Sequence, residues 1–324
     1  MKNQARYYDE INIARAIGIL LVVLGHAMKQ IEVQSTAVSV LIQFIYSFHM
    51  PLFFFLSGFV SSKILDYKDT GAYVDYGKKR IRRLLLPYIV MAILYLPLKY
   101  FMSRFARNPY DFASSWKILL GYHPNTTMWF LYTLFWVALI IAILVNRRTL
   151  QLWTILTAIL SLLTYSCGLE WRIPRYLFFF LLGIYIHEAY DKFSELYHRG
   201  PVWILLLLIL FLGNVAIWYG ISGAQFFTSI AGTLLCLLLS YHIAQDHGSL
   251  YDSAMQLGYK SMDIYILSDI VQTVLRLAAW NILHLPYLLV ISLCFIGGVI
   301  GPMVLSVFFV RRIRILRILL LGED

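Results

Sequence analysis

The chain has 324 residues, of which 60% are hydrophobic and 14% charged, whereas an ordinary soluble domain has about 25% charged residues. This composition excludes a disordered chain, a coiled coil and a soluble globular enzyme. A net charge of +10 at pH 7 would suggest nucleic-acid binding in a soluble protein, but in a membrane protein it indicates basic residues kept on the cytoplasmic side. We therefore expect membrane lipids, and no nucleic acid, among the partners.

Apolar runs of about 20 residues, the length that crosses a bilayer, recur along the whole chain. They predict an all-α fold, a polytopic transmembrane bundle of about ten helices in a single integral-membrane domain, residues 1–324. The predicted helices lie at 12–32, 39–61, 84–104, 128–146, 150–167, 173–190, 202–219, 225–244, 261–281 and 286–310. The three cysteines are far apart in apolar runs, so we expect them to be packing residues and predict no metal site.

The lysines and arginines predict the orientation of this bundle. If the N-terminus is cytoplasmic, 18 of the 27 Lys and Arg fall in cytoplasmic segments and seven in outer loops or helix ends. This bias predicts an even number of spans with both termini in the cytoplasm.

The first helix contains two ionisable residues, Arg15 and His26. Ionisable side chains in a bilayer cost about 2.5–3.5 kcal/mol on the insertion scale, so they point to function. The two residues are eleven positions apart, so they share one helix face, about 16 Å apart along the axis. Gly18 and Gly25 lie in a stripe of small residues beside that face, which suits a close helix neighbour or a slender ligand arm. Arg15 alone could be a snorkelling charge and His26 alone a core histidine, but together they favour a functional site.

The second helix contains His49 and Pro51. His49 and His26 both fall near the middle of the membrane, so an antiparallel hairpin could bring the two imidazoles together. Pro51 can kink the helix and free backbone carbonyls. A hydrogen bond in helix packing is the alternative role for His49.

Further polar residues flank or interrupt the later helices. Arg80, Arg82 and Arg83 cluster at the cytoplasmic mouth of the third helix, where they either follow the positive-inside rule or clamp an anion such as phosphate. Trp129 belongs to an aromatic run that fits an interfacial belt. Asp269 starts a stripe that could pair inside the bundle or face a cavity. A basic stripe in the tail is expected to anchor it at the membrane surface, through Arg311, Arg314 and Arg317.

These motifs together resemble the integral-membrane acyltransferases of the acyltransferase-3 type, most closely the sugar O-acetylases related to fucose O-acetylase and enterobacterial common antigen O-acetyltransferase. The matching segments are Arg15 to His26, FHMPLFFFLSG at Phe48 to Gly58, the basic run and helix start at Arg80 to Pro87, WFL at Trp129 to Leu131, and SxxIY at Ser261 to Tyr265. Two positions depart from the pattern. Asn12 stands where the family commonly has an acid, and Ser268 where it frequently has a histidine.

The resemblance implies transfer of an acyl group, acetyl above all, from cytoplasmic acetyl-CoA to a hydroxyl of a cell-surface glycan or its lipid-linked precursor, in a bacterial inner membrane. Acetyl-CoA would be a co-substrate, and no cofactor is expected to stay bound. In this scheme His26 is the general base or a transient acyl carrier, and His49 donates to the thioester carbonyl or orients His26. Donor binding is expected at Arg15, Gly18, Gly25, Arg80, Arg82 and Arg83, and acceptor binding at Trp129 and Asp269.

A bundle with buried histidine, aspartate and arginine could also be a transporter or permease with a polar pathway, and a scaffold role is a third option. Inverted repeats and paired broken helices would favour a transporter. The sequence shows no convincing repeat.

Overall fold

The computed structural model describes residues 8–29, 35–67, 69–103 and 111–323. Throughout these ranges the regular structure is helical, which confirms the all-α prediction. The first half contains the helices α1 (Asp9–Lys29), α2 (Thr36–Tyr46), α3 (His49–Phe59), α4 (Thr70–Arg80), α5 (Leu86–Ser103), α6 (Trp129–Leu144) and α7 (Leu150–Ser166). The second half contains α8 (Arg172–Glu188), α9 (Tyr190–Ser194), α10 (Gly200–Trp218), α11 (Ala224–Asp246), α12 (Ser249–Tyr259), α13 (Ser261–Arg276), α14 (Tyr287–Leu305) and α15 (Arg314–Leu316).

Five segments are long and apolar enough to cross a membrane, namely Asp9–Lys29, Thr36–Phe59, Gly200–Trp218, Ala224–Asp246 and Tyr287–Val310. Each of the ten predicted helices overlaps a helix of the structure, but the count of ten spans and the cytoplasmic termini stay predictions. Five basic residues of the charge count lie outside the described residues, namely Lys2, Arg6, Lys68, Arg104 and Arg107.

Helix α1 lies at the centre of the bundle and packs against α3, α11, α12, α13 and α14. Glycines allow the closest approaches between helices. A Cβ on Gly58 of α3 would lie 1.9 Å from the carbonyl oxygen of Phe180 in α8, and one on Gly258 of α12 would lie 2.1 Å from that of Asn12 in α1. Small residues at such crossings let backbones meet, as is usual in membrane bundles. Helices α4 and α12, which occupy segments expected to be loops, were missed because they are too short and polar for the span pattern.

The predicted helix 39–61 is divided into α2 and α3 by a break at Ser47 and Phe48. Pro51 explains the position of the break, because proline has no N–H to donate to the carbonyl four residues earlier, that of Ser47. The Ser47 carbonyl accepts instead from the Ser229 hydroxyl at 2.7 Å. The break lies before Pro51, which belongs to the first turn of α3.

The C-terminal segment folds back onto the bundle. Arg311 donates to both carboxylate oxygens of Asp263, at 2.7 and 2.9 Å, and to Glu323 at 3.0 Å. Gly322 adopts a left-handed backbone with φ of 64°, which brings it against the Arg82 carbonyl. One of the three arginines expected at the membrane surface therefore forms an ion pair inside the protein.

Candidate active site

A cavity of about 420 Å³ lies between α1, α3, α6, the start of α13 and the junction of α4 and α5. Its polar lining includes Arg15, Arg80, Arg83, Ser57, Ser261 and Tyr265. We call it the arginine cavity. Three of the four arginines expected to bind the donor therefore come together, whereas Arg82 is not part of the lining.

The arginine cavity concentrates positive charge. Arg83 is close enough to Arg15 to act on it electrostatically. Within the described ranges, neither Arg15 nor Arg83 forms a hydrogen bond or an ion pair, and the carboxylate of Glu323 in the same lining is bonded to Arg311. Guanidinium groups left without a counter-charge inside a membrane bundle are costly, so the cavity is suited to an anionic ligand.

The junction of α4 and α5 positions two of these arginines. Residues Ile81–Leu85 form a π turn, which is a local widening often found at functional sites. Pro87 favours this turn because it cannot donate to the carbonyl of Arg83. On the other side of the turn, Arg80 donates to the Ser61 hydroxyl at 2.6 Å and lies 4.8 Å from the ring centroid of Tyr76. Arg80 is therefore held in place before any ligand binds.

A second polar group lies near the opposite end of α1. The Tyr46 hydroxyl is 3.4 Å from Nδ1 of His26, and the rings of Tyr46 and His49 are 4.7 Å apart between centroids. Both predicted histidines therefore lie next to the side chain of Tyr46. Nδ1 of His49 donates to the Ile45 carbonyl at 2.8 Å, so in the neutral ring the lone pair is on Nε2.

Asp269 also belongs to this group. It accepts a hydrogen bond from the Tyr95 hydroxyl at 2.8 Å and is close enough to His26 to act on it electrostatically. Gln272, in the same predicted stripe, donates instead to the backbone carbonyl of Val23 at 2.8 Å. The residues of the predicted stripe on α13 therefore have different roles: Asp269 lies near His26, whereas Gln272 takes part in helix packing.

The small residues of α1 face aromatic rings. A Cβ on Gly18 would lie 3.0 Å from the ring of Phe53, and one on Gly25 would lie 2.9 Å from the ring of Tyr46. The stripe therefore packs against side chains of neighbouring helices, which is the first of the two roles expected from the sequence, a close helix neighbour or a slender ligand arm. The lining of the arginine cavity reaches Val22, one helical turn from His26, and does not include His26 itself.

Trp129 lies in an aromatic cluster, stacked with Tyr176 at 5.5 Å between centroids and with the Arg172 guanidinium 5.0 Å from its ring centroid. The cluster lies beside the arginine cavity through Phe130, which is part of the lining. The predicted acceptor contact of Trp129 stays a prediction.

A buried histidine in the loop before α6 was missed by the sequence analysis. His123 donates from Nε2 to the Tyr88 carbonyl at 3.0 Å and accepts at Nδ1 from the Asn125 amide at 2.9 Å. Burial lowers the pKa of His123 to about 4. Two residues beyond Asn125, the Thr127 carbonyl accepts from the Tyr265 hydroxyl at 2.7 Å, so this loop supports a residue of the cavity lining.

A family model described as an acyltransferase domain matches residues 8–307, which include the three arginines of the cavity and both histidines. The chain belongs to the acyltransferase-3 family. This membrane acyltransferase is also similar to nodulation protein NolL of Mesorhizobium japonicum, with 29% identity over 147 residues. The alignment covers 44% of this chain and 38% of NolL, so it spans less than half of either protein. No solved structure gives a significant match.

Membership of the family confirms the resemblance that the motifs indicated. It also favours an enzyme over a permease. The residues that sequence reasoning missed in this acyltransferase are Tyr46, Tyr95 and His123. Tyrosines in apolar helices carry no distinguishing signal, but His123 stands in a polar HPNTT segment beside the WFL motif, which could have drawn attention to it.

Proposed function

We propose that this acyltransferase transfers an acetyl group from acetyl-CoA, bound in the arginine cavity, to a hydroxyl of a sugar in a cell-surface glycan or its lipid-linked precursor. The observation that carries the proposal is the convergence of Arg15, Arg80 and Arg83 on one cavity, where none of them has a carboxylate partner among the described residues. Coenzyme A has a multiply charged phosphate head, and guanidinium groups offer forked donors that match phosphate oxygens.

The position of the cavity on α1 supports a path for the thioester. Arg15 lies at one end of this path, and Val22, at the other, lies on the same helix face as His26. The last helical turn to His26 corresponds to about 6 Å. We expect the Phe53 ring, which lines the cavity and lies against Gly18, to move aside when the donor arm enters.

His26 then acts as the general base in the proposed reaction. It takes the proton of the acceptor hydroxyl while that oxygen attacks the thioester carbonyl carbon. The tetrahedral intermediate collapses with cleavage of the carbon–sulfur bond, and the departing thiolate receives the proton from His26. Asp269, close to His26, would stabilise the imidazolium formed between these steps. In a second version His26 carries the acetyl group transiently.

Transfer of label from radioactive acetyl-CoA to lipid-linked or soluble sugars, measured with purified protein in nanodiscs, tests this function. We expect transfer by the wild type and none by His26→Ala or His26→Gln, because glutamine keeps the polarity but cannot act as a base. His242→Gln is the matched control, since His242 is exposed on α11, away from the cavity. Near-normal transfer by His26→Gln would contradict the proposed role, and solute accumulation in proteoliposomes without any transfer would favour a permease.

A further inference from the structure

A second cleft, of about 590 Å³, lies between α2 and α10. Its walls include Val40, Phe44, Leu207, Phe211 and Trp218. Both helices belong to segments long and apolar enough to cross a membrane, so the cleft opens towards lipid. We call it the α2–α10 groove.

We infer that the α2–α10 groove binds the hydrocarbon chain of a lipid-linked sugar and thereby tethers the acceptor beside His26. This inference rests on the proposed function for the identity of the sugar as acceptor. The groove itself is defined by packing, polar contacts and position that do not depend on that function.

The walls of the groove are fixed by specific contacts. A Cβ on Gly213 of α10 would lie 2.4 Å from Cγ2 of Thr228, so α10 is pressed against α11. Gln43 of α2 donates from Nε2 to the backbone carbonyl of Asn214 in α10 at 2.8 Å. Asn214 in turn donates to the Leu210 carbonyl at 2.9 Å. A polar floor therefore joins two apolar walls, and amides in an apolar span are rarely placed without a role.

The floor of the groove is next to the cluster formed by Tyr46, His26 and His49. Gln43 is one helical turn before Tyr46, whose hydroxyl lies 3.4 Å from His26. The side-chain amide of Asn214 lies 3.5 Å from the hydroxyl of Ser47, the residue after Tyr46. The floor of the groove therefore adjoins the residues that contact His26, whereas the linings of the groove and of the arginine cavity share no residue.

The opposite end of the groove lies at the end of the bundle remote from Arg15. Thr36, at the start of α2, and Trp218, at the end of α10, line this end. It is the end of the bundle at which α1 finishes, so Arg15 lies towards the other face. The donor and the lipid-anchored acceptor would therefore reach His26 from opposite halves of the bundle.

The size of the groove fits one hydrocarbon chain. From Leu207 to Trp218 the α10 wall is about 16 Å long, close to half of a hydrocarbon core of about 30 Å. Removing a chain from a bilayer gains little hydrophobic energy, since lipid tails are as apolar as leucine. The benefit is a high effective concentration, because a tethered sugar needs no second encounter with the site.

The test uses a polyprenyl-phosphate-linked sugar with a photoreactive diazirine in its chain and a diazirine phosphatidylcholine for comparison, both in nanodiscs. Leu207→Trp fills the groove, whereas Leu208→Trp is a matched control on the same helix. Both leucines are exposed, but Leu208 is not part of the lining. We expect the sugar lipid to label α2 and α10 peptides in wild type and Leu208→Trp, and labelling to fall at least fivefold in Leu207→Trp. KM for the lipid-linked acceptor should rise by a similar factor in Leu207→Trp, with KM for acetyl-CoA and turnover on a soluble sugar unchanged.

Two outcomes would overturn the inference, namely equal labelling of the groove by phosphatidylcholine and by the sugar lipid, or equal acceptor KM in both tryptophan variants. Groove-specific labelling by the sugar lipid without acetyl transfer would support the groove and refute the proposed function. Transfer with a variant-independent KM would refute the groove and leave the proposed function in place. A thermal melt of each variant in detergent confirms that the protein is folded.

Discussion

Replacing Arg83 with glutamine should weaken binding of acetyl-CoA more than any other step of the reaction. Arg83 faces the arginine cavity and has no hydrogen bond or ion pair within the described part of the chain, so its donors are available to a ligand. A hydrogen bond to a charged group contributes about 1.5–3 kcal/mol, which corresponds to about a 10- to 150-fold rise in KM for acetyl-CoA. Arg83→Lys keeps the charge but loses the planar fork, so we expect a smaller rise.

Initial rates of label transfer at varied acetyl-CoA and at varied acceptor measure this effect. Lys79→Gln is the matched control, because it removes the same charge four residues earlier from an exposed side chain outside the cavity lining. KM for the acceptor should stay within about twofold in all three variants. The reasoning would be refuted if Lys79→Gln and Arg83→Gln raised KM for acetyl-CoA equally, since the effect would then come from overall charge and not from the cavity.

Two further predictions concern stability. Gly58→Ala should lower the free energy of unfolding by about 3 kcal/mol, because its Cβ would lie 1.9 Å from the Phe180 carbonyl oxygen. Gly77→Ala, whose Cβ would be 4.0 Å from the nearest heavy atom, should instead raise the free energy of unfolding by up to about 1 kcal/mol, because alanine favours the helix more than glycine does. Melting in detergent compares the two, and equal melting temperatures would contradict the packing of α3 on α8. Burial lowers the pKa of His123 to about 4, so between pH 6.5 and 4 the open loop before α6 gains a proton that the native loop does not. The loop should therefore lose up to about 3 kcal/mol of stability as pH falls from 6.5 to 4. The amide-exchange protection factors of this loop, which correct for the intrinsic exchange rate at each pH, should therefore fall below pH 6.5 in the wild type and change less in His123→Gln.

The sequence was sufficient for most of the long apolar helices and for the shared face of Arg15 and His26 on α1, because both follow from local periodicity. Arg15 and His26 lie on one helix, so their spacing alone placed them. Tyr46 could not be found in this way, because its contact with His26 is made between two different helices. The same holds for Tyr95, whose hydroxyl contacts Asp269 on a helix far away in the chain.

The arrangement of the basic run was also beyond sequence reasoning. Arg80, Arg82 and Arg83 look equivalent along the chain, but a π turn and the returning C-terminal segment decide which of them line the cavity. Similarly, the span pattern predicted one helix through Pro51, whereas the Ser229 hydroxyl satisfies the freed Ser47 carbonyl and stabilises a break.

A cryo-electron microscopy structure of the protein in nanodiscs with a non-hydrolysable acetyl-CoA analogue tests most directly whether the donor passes from the arginines to the histidine. We predict phosphate density within hydrogen-bond distance of Arg15 and Arg83, a displaced Phe53 ring, and the carbonyl carbon of the analogue within about 4 Å of a His26 ring nitrogen or of an acceptor hydroxyl bonded to it. An analogue bound elsewhere, or bound to the arginines with its acyl end directed away from His26, would contradict the account.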